Sequence, residues 1–172
     1  MNFKRILLLS ILCTFPLPAL AKVGLSAGIG GIRATAVDTR SGMEMGATLS
    51  LESWGAGIVS AGPDLRVATG FTADDRFSYA SAGARLNVDF LLHLSAAIRF
   101  GGAHFDGLLV PTPHAAGRER ELVAPVVESE VLLALPLGPL LPGIRWGQGR
   151  VIIPKDPDFK WDAFSLVVGL RL

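Results

Sequence analysis

Hydrophobic and polar residues alternate with a period of two along most of this chain. In segment 164–172, for example, Phe164, Leu166 and Val168 share one face, while Arg171 belongs to the other. Related alternation occurs in seven further segments: 23–32, 43–52, 59–71, 80–90, 92–101, 123–135 and 143–154. Because side chains along a β-strand point alternately to opposite faces, the pattern predicts eight strands, each with one apolar and one polar face.

Two of these segments depart from a simple alternation. Pro63 in segment 59–71 has no backbone N–H, so it predicts a bulge or an edge-like position. Segment 143–154 carries apolar and polar residues on both faces, so the pattern leaves open which of its faces points outward.

The longest apolar stretch after the first strand, 131–144, is interrupted by Pro136, Pro139 and Pro142. A helix with prolines at this spacing loses backbone hydrogen bonds, which is costly in lipid. The stretch is therefore predicted to be the end of one strand, an apolar turn and the start of the next strand.

Residues 1–21 have the features of a secretory signal peptide. Lys4 and Arg5 precede the apolar stretch 6–15, and Ala19 and Ala21 form a small-x-small cleavage site. An N-terminal membrane anchor is the alternative, but the apolar stretch is shorter than the roughly 20 residues that a spanning helix needs. Cleavage leaves one domain, 22–172. It also removes Cys13, the only cysteine, so we expect no disulfide and no thiolate chemistry.

The composition narrows the class of protein. Half of the 172 residues are hydrophobic, 18% are charged, and the mean hydropathy is +0.46. Such a chain is too apolar to be disordered. Its formal net charge of +1 becomes −1 once the leader is removed, which leaves no basic surplus for nucleic acid. Because lipid requires every backbone polar group to be paired, an exported apolar chain built of strands is predicted to form a closed transmembrane β-barrel.

The connections between the predicted segments alternate in character. Polar connections (33–42, 72–76, 102–121 and 154–160) are predicted to be outer loops, and tight or apolar ones (54–57, 89–91 and 136–142) to be periplasmic turns. Seven aromatic residues near segment ends are predicted to form interfacial girdles: Trp54, Phe71, Phe77, Phe90, Phe100, Trp161 and Phe164.

On these features the chain resembles the small Gram-negative outer-membrane β-barrel proteins of the OmpA/OmpX-like, eight-stranded class. Its segment 164–172 also resembles the C-terminal signal read by the barrel-assembly machinery, except that Leu172 replaces the usual aromatic residue. The resemblance implies an all-β, antiparallel, up-and-down barrel of eight strands in the cell outer membrane. It further implies a monomer that contacts outer-membrane lipids, lipopolysaccharide and the assembly machinery, with a structural or surface-interaction role and without cofactor or nucleic acid.

The polar faces carry charges that are predicted to form an ionic network in the barrel lumen. Its predicted members are Glu44, Glu52, Asp64, Arg66, Arg85, Asp89, Arg99, Glu128, Glu130, Arg145 and Arg171. Unpaired charges in a filled interior are costly, so near-balance of acids and arginines suits a packed barrel. The main interpretation is an ionic plug, and a narrow selective or gated path is the alternative.

Other residue patterns allow further functional interpretations. His93 and Ser95, with Glu128 or Glu130, have the composition of a hydrolase triad. The His-x-Ser pair resembles an element of outer-membrane lipid A deacylases, although here it lies mid-chain and on the predicted lumen face.

His104, Asp106 and His114 offer possible metal ligands on a predicted loop, without an evident fourth ligand. Gly28, Gly30 and Gly31 have glycine spacing seen in phosphate loops, but no helix pattern follows, so we expect them to relieve crowding within strands. Finally, an exported soluble lipocalin-like binder has the same alternation with its apolar residues inward and its Glu and Arg residues outward.

Overall fold

The computed structural model describes residues 22–35, 39–73, 75–107, 122–151 and 159–172. These residues form nine antiparallel strand segments: β1 (Lys22–Thr35), β2 (Thr39–Glu52), β3 (Trp54–Ala56), β4 (Val59–Thr72), β5 (Asp75–Asp89), β6 (His93–Gly107), β7 (Leu122–Ala134), β8 (Leu140–Val151) and β9 (Phe159–Arg171). The predicted leader 1–21 and most of the predicted loop 102–121 lie outside the described residues. No helix in the described part of the chain is long and apolar enough to cross a membrane.

The strands close into a barrel with eight positions in its wall. Each long strand pairs with its sequence neighbours, β1 pairs with both β2 and β9, and the pairing of β2 with β4 completes the ring. The short β3 follows β2 after a one-residue break and pairs with the same strand, β4, so the two share one wall position. The predicted fold class, an all-β antiparallel up-and-down barrel of eight strands, is confirmed.

The break between β2 and β3 is an irregularity in the ladder opposite Pro63. Ser50 pairs with Asp64 on one side of it, and Trp54 pairs with Ala61 on the other. Three residues of one strand thus face two of the other, which is where the sequence predicted a bulge. The strands approach closely here, since a Cβ added to Gly62 would lie 1.6 Å from the Leu51 carbonyl oxygen.

Several strands are longer than predicted. The predicted turn 54–57 is wrong at its start, because Trp54 belongs to β3 and the chain reverses at residues 57–58. Toward the loops, β1 reaches Thr35 and β6 reaches Gly107. Apolar alternation ends where the wall residues turn polar, whereas backbone pairing continues, so the hydrophobic pattern underestimates strand length. We call the end with the short turns near Gly57 and Gly138 the inner end, and the opposite end the outer end.

Along the middle of the barrel, large apolar side chains point outward and charged side chains point inward. Large exposed apolar side chains occur on every wall strand, among them Leu25, Ile29, Met43, Met45, Leu65, Val67, Leu86, Leu94, Ile98, Phe100, Val131, Leu133, Ile144, Leu166 and Val168. In β8 the open question of facing is resolved: Arg145 and Val151 point inward, while Ile144 and Trp146 point outward. The lipocalin-like alternative requires the opposite arrangement.

Two of the predicted girdle aromatics are not in a girdle. Phe77 and Trp161 are only 0% and 2% exposed and lie inside the barrel. Their parity explains the difference, since in β5 and β9 the odd-numbered residues point inward. Of the other five, Trp54, Phe90, Phe100 and Phe164 are exposed, and Phe71 is half-buried.

Candidate functional site

The middle of the barrel interior holds four carboxylates and four guanidinium groups in mutual contact. They are Glu44, Asp64, Glu128 and Glu130 with Arg66, Arg85, Arg99 and Arg145. All eight side chains are buried, and they come from six different strands. We call this set the central network. Its formal charges cancel, which suits a site that water does not reach.

Glu130 on β7 has more arginine partners than any other carboxylate described in the network. Arg66 and Arg85 contact its carboxylate oxygens at 2.7 and 2.8 Å, Arg99 at 3.1 Å, and Arg145 at 3.9 Å. Arginine suits this position because its planar fork of donors can serve two carboxylates at once. Glu130 thereby links β7 to its wall neighbours β6 and β8 and, across the interior, to β4 and β5.

The remaining carboxylates extend these links. Asp64 accepts hydrogen bonds from the Nε atoms of Arg85, at 2.5 Å, and of Arg99. Glu44 accepts from Arg66 and, at 3.2 Å, from Nη2 of Arg145. Each guanidinium described here therefore has at least two carboxylate neighbours or a carboxylate and a hydroxyl.

A second, smaller cluster lies at the inner end of the barrel. Nη2 of Arg171 on β9 contacts Glu52 Oε2 at 2.5 Å and Asp89 Oδ2 at 2.7 Å. Asp89 also lies 2.6 Å from Nδ1 of His93. We call these four residues the inner-end cluster. Together, the central network and the inner-end cluster contain all eleven charged residues that the sequence predicted to lie in the lumen.

The three residues considered as a hydrolase triad all point into the interior but have separate partners. His93 contacts Asp89, and the Ser95 hydroxyl accepts a 2.7 Å hydrogen bond from Arg85. Glu128 Oε2 accepts a 2.8 Å hydrogen bond from Ser81. The described contacts therefore give no His–Ser relay, and the three side chains face away from the apolar outer surface.

The candidate metal ligands are also not brought together within the described chain. His104 is half-buried on β6, while the side chain of Asp106 and the whole of His114 lie outside the described residues. Among the described residues, no group of three or more His, Cys, Asp and Glu side chains could hold a metal ion.

Toward the outer end, the interior contains a cluster of five aromatic rings. Phe77, Tyr79, Phe105, Phe159 and Trp161 stack or meet edge to face, with centroid distances of 5.0–6.1 Å. We call this set the aromatic cluster. Aromatic pairs in these geometries add to the stabilisation that burial provides. This cluster is not among the features predicted from the sequence, although strand parity places all five residues on inward-facing positions.

Tyr79 joins the aromatic cluster to the central network. Its hydroxyl accepts a 3.1 Å hydrogen bond from Nε of Arg66 and lies 3.3 Å from Glu44 and 3.4 Å from Glu128. The ring of Tyr79 contacts Trp161 at a centroid distance of 5.0 Å. The interior is thus continuous from charged groups at its centre to apolar rings near its outer end.

The Trp161 ring occupies the space where a side chain at Gly149 would lie. A Cβ at Gly149 would lie 1.9 Å from the ring, whereas one at Gly147, also on β8, would have its nearest neighbour at 3.7 Å. We therefore expect Gly149→Ala to lower the free energy of unfolding by about 1–3 kcal/mol through overpacking. Urea titration of the folded barrel measures this loss, with Gly147→Ala as the matched control. Equal effects of the two substitutions would contradict the packing shown here.

No protein-family model and no curated protein matches this sequence. Solved structures do match the fold. Neisserial surface protein A superposes with a TM-score of 0.60 at 10% identity, covering 86% of this chain and 96% of that one. Ail, the attachment invasion locus protein of Yersinia pestis, gives 0.55 at 15% identity, with 88% and 99% covered. The outer membrane enzyme PagL gives 0.54 at 10% identity, with 86% and 98% covered. The chain therefore has the fold of the small eight-stranded outer-membrane β-barrels, as its sequence resemblance predicted.

Proposed function

We propose that this protein is an outer-membrane β-barrel with a structural or surface-interaction role, whose interior is plugged rather than open as a bulk pore. The observation that carries the proposal is an outward apolar wall around a charge-balanced, buried ionic core. Such a wall is unfavourable in water and favourable in hydrocarbon. The buried charges of the core, in turn, are paired with opposite charges that only the folded barrel brings together.

The height of the apolar wall supports a membrane location. On β9, outward residues are polar at Lys160 and Asp162 and apolar from Phe164 onward. At about 3.3 Å per residue and a tilt of about 40°, Phe164 to Leu172 covers about 20 Å along the barrel axis. This approaches the apolar band of about 25 Å found in outer-membrane barrels.

The filling of the interior supports a plug. Arg99 and Glu128 in the central network, and Phe77 and Trp161 in the aromatic cluster, are among the largest fully buried side chains described. Small barrels of this strand number have interiors just wide enough to be filled by side chains. The central network and the aromatic cluster thus fill the barrel interior at two successive positions along the barrel axis.

A membrane-inserted barrel is expected to resist detergent until it is heated. In a gel run with sodium dodecyl sulfate, the unheated protein should migrate differently from the boiled protein, and it should fractionate with outer membranes. Recovery in the soluble periplasmic fraction would refute the membrane assignment.

A plugged interior is expected to conduct ions poorly. Purified protein added to a planar lipid bilayer should give no stable conductance steps of porin size, because the buried side chains of the central network and the aromatic cluster occupy the interior. Regular, long-lived porin-sized steps would contradict the plug while leaving the membrane assignment intact.

The proposal extends to lipopolysaccharide phosphates at the outer rim of the wall. Arg150 and Lys160 are directly opposite on β8 and β9, and both are exposed. Exposed cations at the rim of a membrane protein attract the anionic groups of lipids. Since a cation near an anionic surface contributes about 1 kcal/mol, Lys160→Gln should weaken lipopolysaccharide binding about fivefold. Titration in detergent measures this, with Lys22→Gln at the inner end as control, and unchanged affinity would contradict it.

The remaining partners follow from the same assignment. We propose that segment 164–172 is read by the barrel-assembly machinery during insertion, and that the inserted barrel is a monomer. The first of these is supported by the continuous apolar outward face of β9, from Phe164 to Val168, which matches the pattern expected of such a signal.

A further inference from the structure

The turns at the inner end of the barrel carry apolar side chains. Residues 54–59, 90–92 and 135–140 read WGAGIV, FLL and LPLGPL, without one charged or hydrogen-bonding side chain apart from the Trp54 indole. Phe90 and Leu91 are each 77% exposed, and Leu137 is 54% exposed. Turns that face water are usually rich in polar residues, so these three are unusual for an aqueous location.

The backbone of the turn between β7 and β8 is also largely satisfied internally. Leu135 N donates to the Pro142 carbonyl at 2.8 Å, and Leu137 and Leu140 exchange two hydrogen bonds of 2.8 and 3.2 Å. Pro136 and Pro139 have no N–H to satisfy. Pairing or removing backbone donors is the condition that lipid imposes on any chain it covers.

Backbone groups of the other inner turns also have hydrogen-bond partners within the protein. Asp89 N donates to the Ile58 carbonyl at 2.7 Å, joining two turns, and Phe90 N donates to the Leu92 carbonyl at 3.1 Å. The Pro139 carbonyl accepts a 2.8 Å hydrogen bond from Arg171 N. Neighbouring turns therefore bond to each other or to an adjacent strand rather than presenting these groups outward.

On the β7 side of the barrel, the apolar wall continues into the turn that follows this strand. On β7 the last outward polar residue is Ser129, and the apolar positions below it end at Leu135. With a rise of about 3.3 Å per residue and a tilt of about 40°, this stretch covers only about 15 Å. An apolar band of about 25 Å counted from Ser129 would therefore extend past Leu135 to Leu137 and its neighbours. On β5, by contrast, the step from Ala80 to Phe90 covers about 25 Å by the same arithmetic.

We propose that the three inner turns are immersed in the inner leaflet of the membrane, at the boundary between its acyl chains and headgroups, rather than extending into water. The inference rests on the proposed membrane location. It assigns the lipid surface as the partner of Phe90, Leu91 and Leu137, with the exposed Trp54 indole at the headgroup level that tryptophan favours.

Lipid fits these turns better than a protein partner does. The apolar positions come from three separate turns around the rim and are continuous with the lipid-facing wall through Leu135 and Leu92. The nearby carboxylates of Glu52 and Asp89 both bind Arg171 at the mouth of the barrel interior rather than projecting from the turns.

Site-directed spin labelling in pure lipid vesicles tests the depth of the turns. Single cysteines are introduced in a Cys13→Ser background at Leu91 and Leu137, with Leu133→Cys as a mid-wall control and Ser41→Cys as an outer polar control. All four native side chains are exposed or project outward, so the labels do not disturb the interior. The measured quantity is the ratio of nitroxide collision rates with oxygen and with a water-soluble nickel chelate.

If the turns are immersed, labels at Leu91 and Leu137 should have oxygen-to-nickel ratios severalfold higher than that of Ser41→Cys. These ratios should approach that of Leu133→Cys. Ratios equal to that of Ser41→Cys would overturn the inference and place the turns in water. Labels shielded from both reagents would also overturn it, because they indicate contact with a second copy of the chain. A water-exposed label at Leu133→Cys would instead refute the membrane location itself, so the two failures are distinguishable.

Discussion

Replacing Glu130 with glutamine is expected to lower the free energy of unfolding by about 3–5 kcal/mol, the typical cost of removing one partner from a buried ion pair. The carboxylate lies within 3.1 Å of Arg66, Arg85 and Arg99, and its loss leaves the central network with one positive charge too many. Urea-induced unfolding of the barrel in vesicles or detergent, followed by tryptophan fluorescence, measures the loss.

A compensating variant separates charge balance from shape. Adding Arg85→Gln to Glu130→Gln restores neutrality, so the double variant should be destabilised by less than the sum of the two single variants. Ser129→Ala, at the adjacent outward position on the same strand, is the control for substitution on β7 and should change stability little. Additive effects of the two charge substitutions would show that the central network is not energetically coupled.

Truncating Trp161 to alanine is expected to cost about 3–5 kcal/mol, the range for deleting a large buried aromatic side chain. Trp161 packs on Phe77, Tyr79 and Phe159 at centroid distances of 5.0–5.9 Å, so its removal opens the aromatic cluster. The same urea titration, followed by circular dichroism because a fluorophore is lost, gives the change in unfolding free energy.

Trp146 provides the matched control for this substitution. It is also on the barrel wall, but it points outward and is 47% exposed. Trp146→Ala should therefore destabilise the barrel much less than Trp161→Ala does. If the outward tryptophan proved the more important of the two, the aromatic cluster would not be a stabilising part of the interior.

The charged interior is a matter of specificity as well as stability. A buried ion pair is often no more stabilising than well-packed apolar residues. Its advantage in this fold is geometric, because Arg66 and Glu130 meet only when β4 and β7 have their correct positions across the barrel. A one-residue slip of either strand turns these charges outward into the apolar wall.

Parity along the strands is the most informative signal in the sequence, for aromatic as well as for charged residues. Applied to charged residues, it places Glu44 and Arg85 on faces that the structure turns inward. The same parity puts Phe77 and Trp161 inside, yet their nearness to segment ends suggested a girdle. Position along the strand and facing are independent properties, and only facing decides which side of the wall a residue occupies.

Alternation alone determined that this chain consists of strands with one apolar and one polar face, because that pattern depends only on the two-residue period of an extended backbone. Only the tertiary structure decided which groups meet. Glu130 and Arg66 are 64 residues apart, and they touch because ring closure brings strands that are not neighbours in the wall together across a narrow interior. Local patterns specify the faces of each strand, whereas contacts across the interior depend on strand order, register and closure, which are properties of the whole chain.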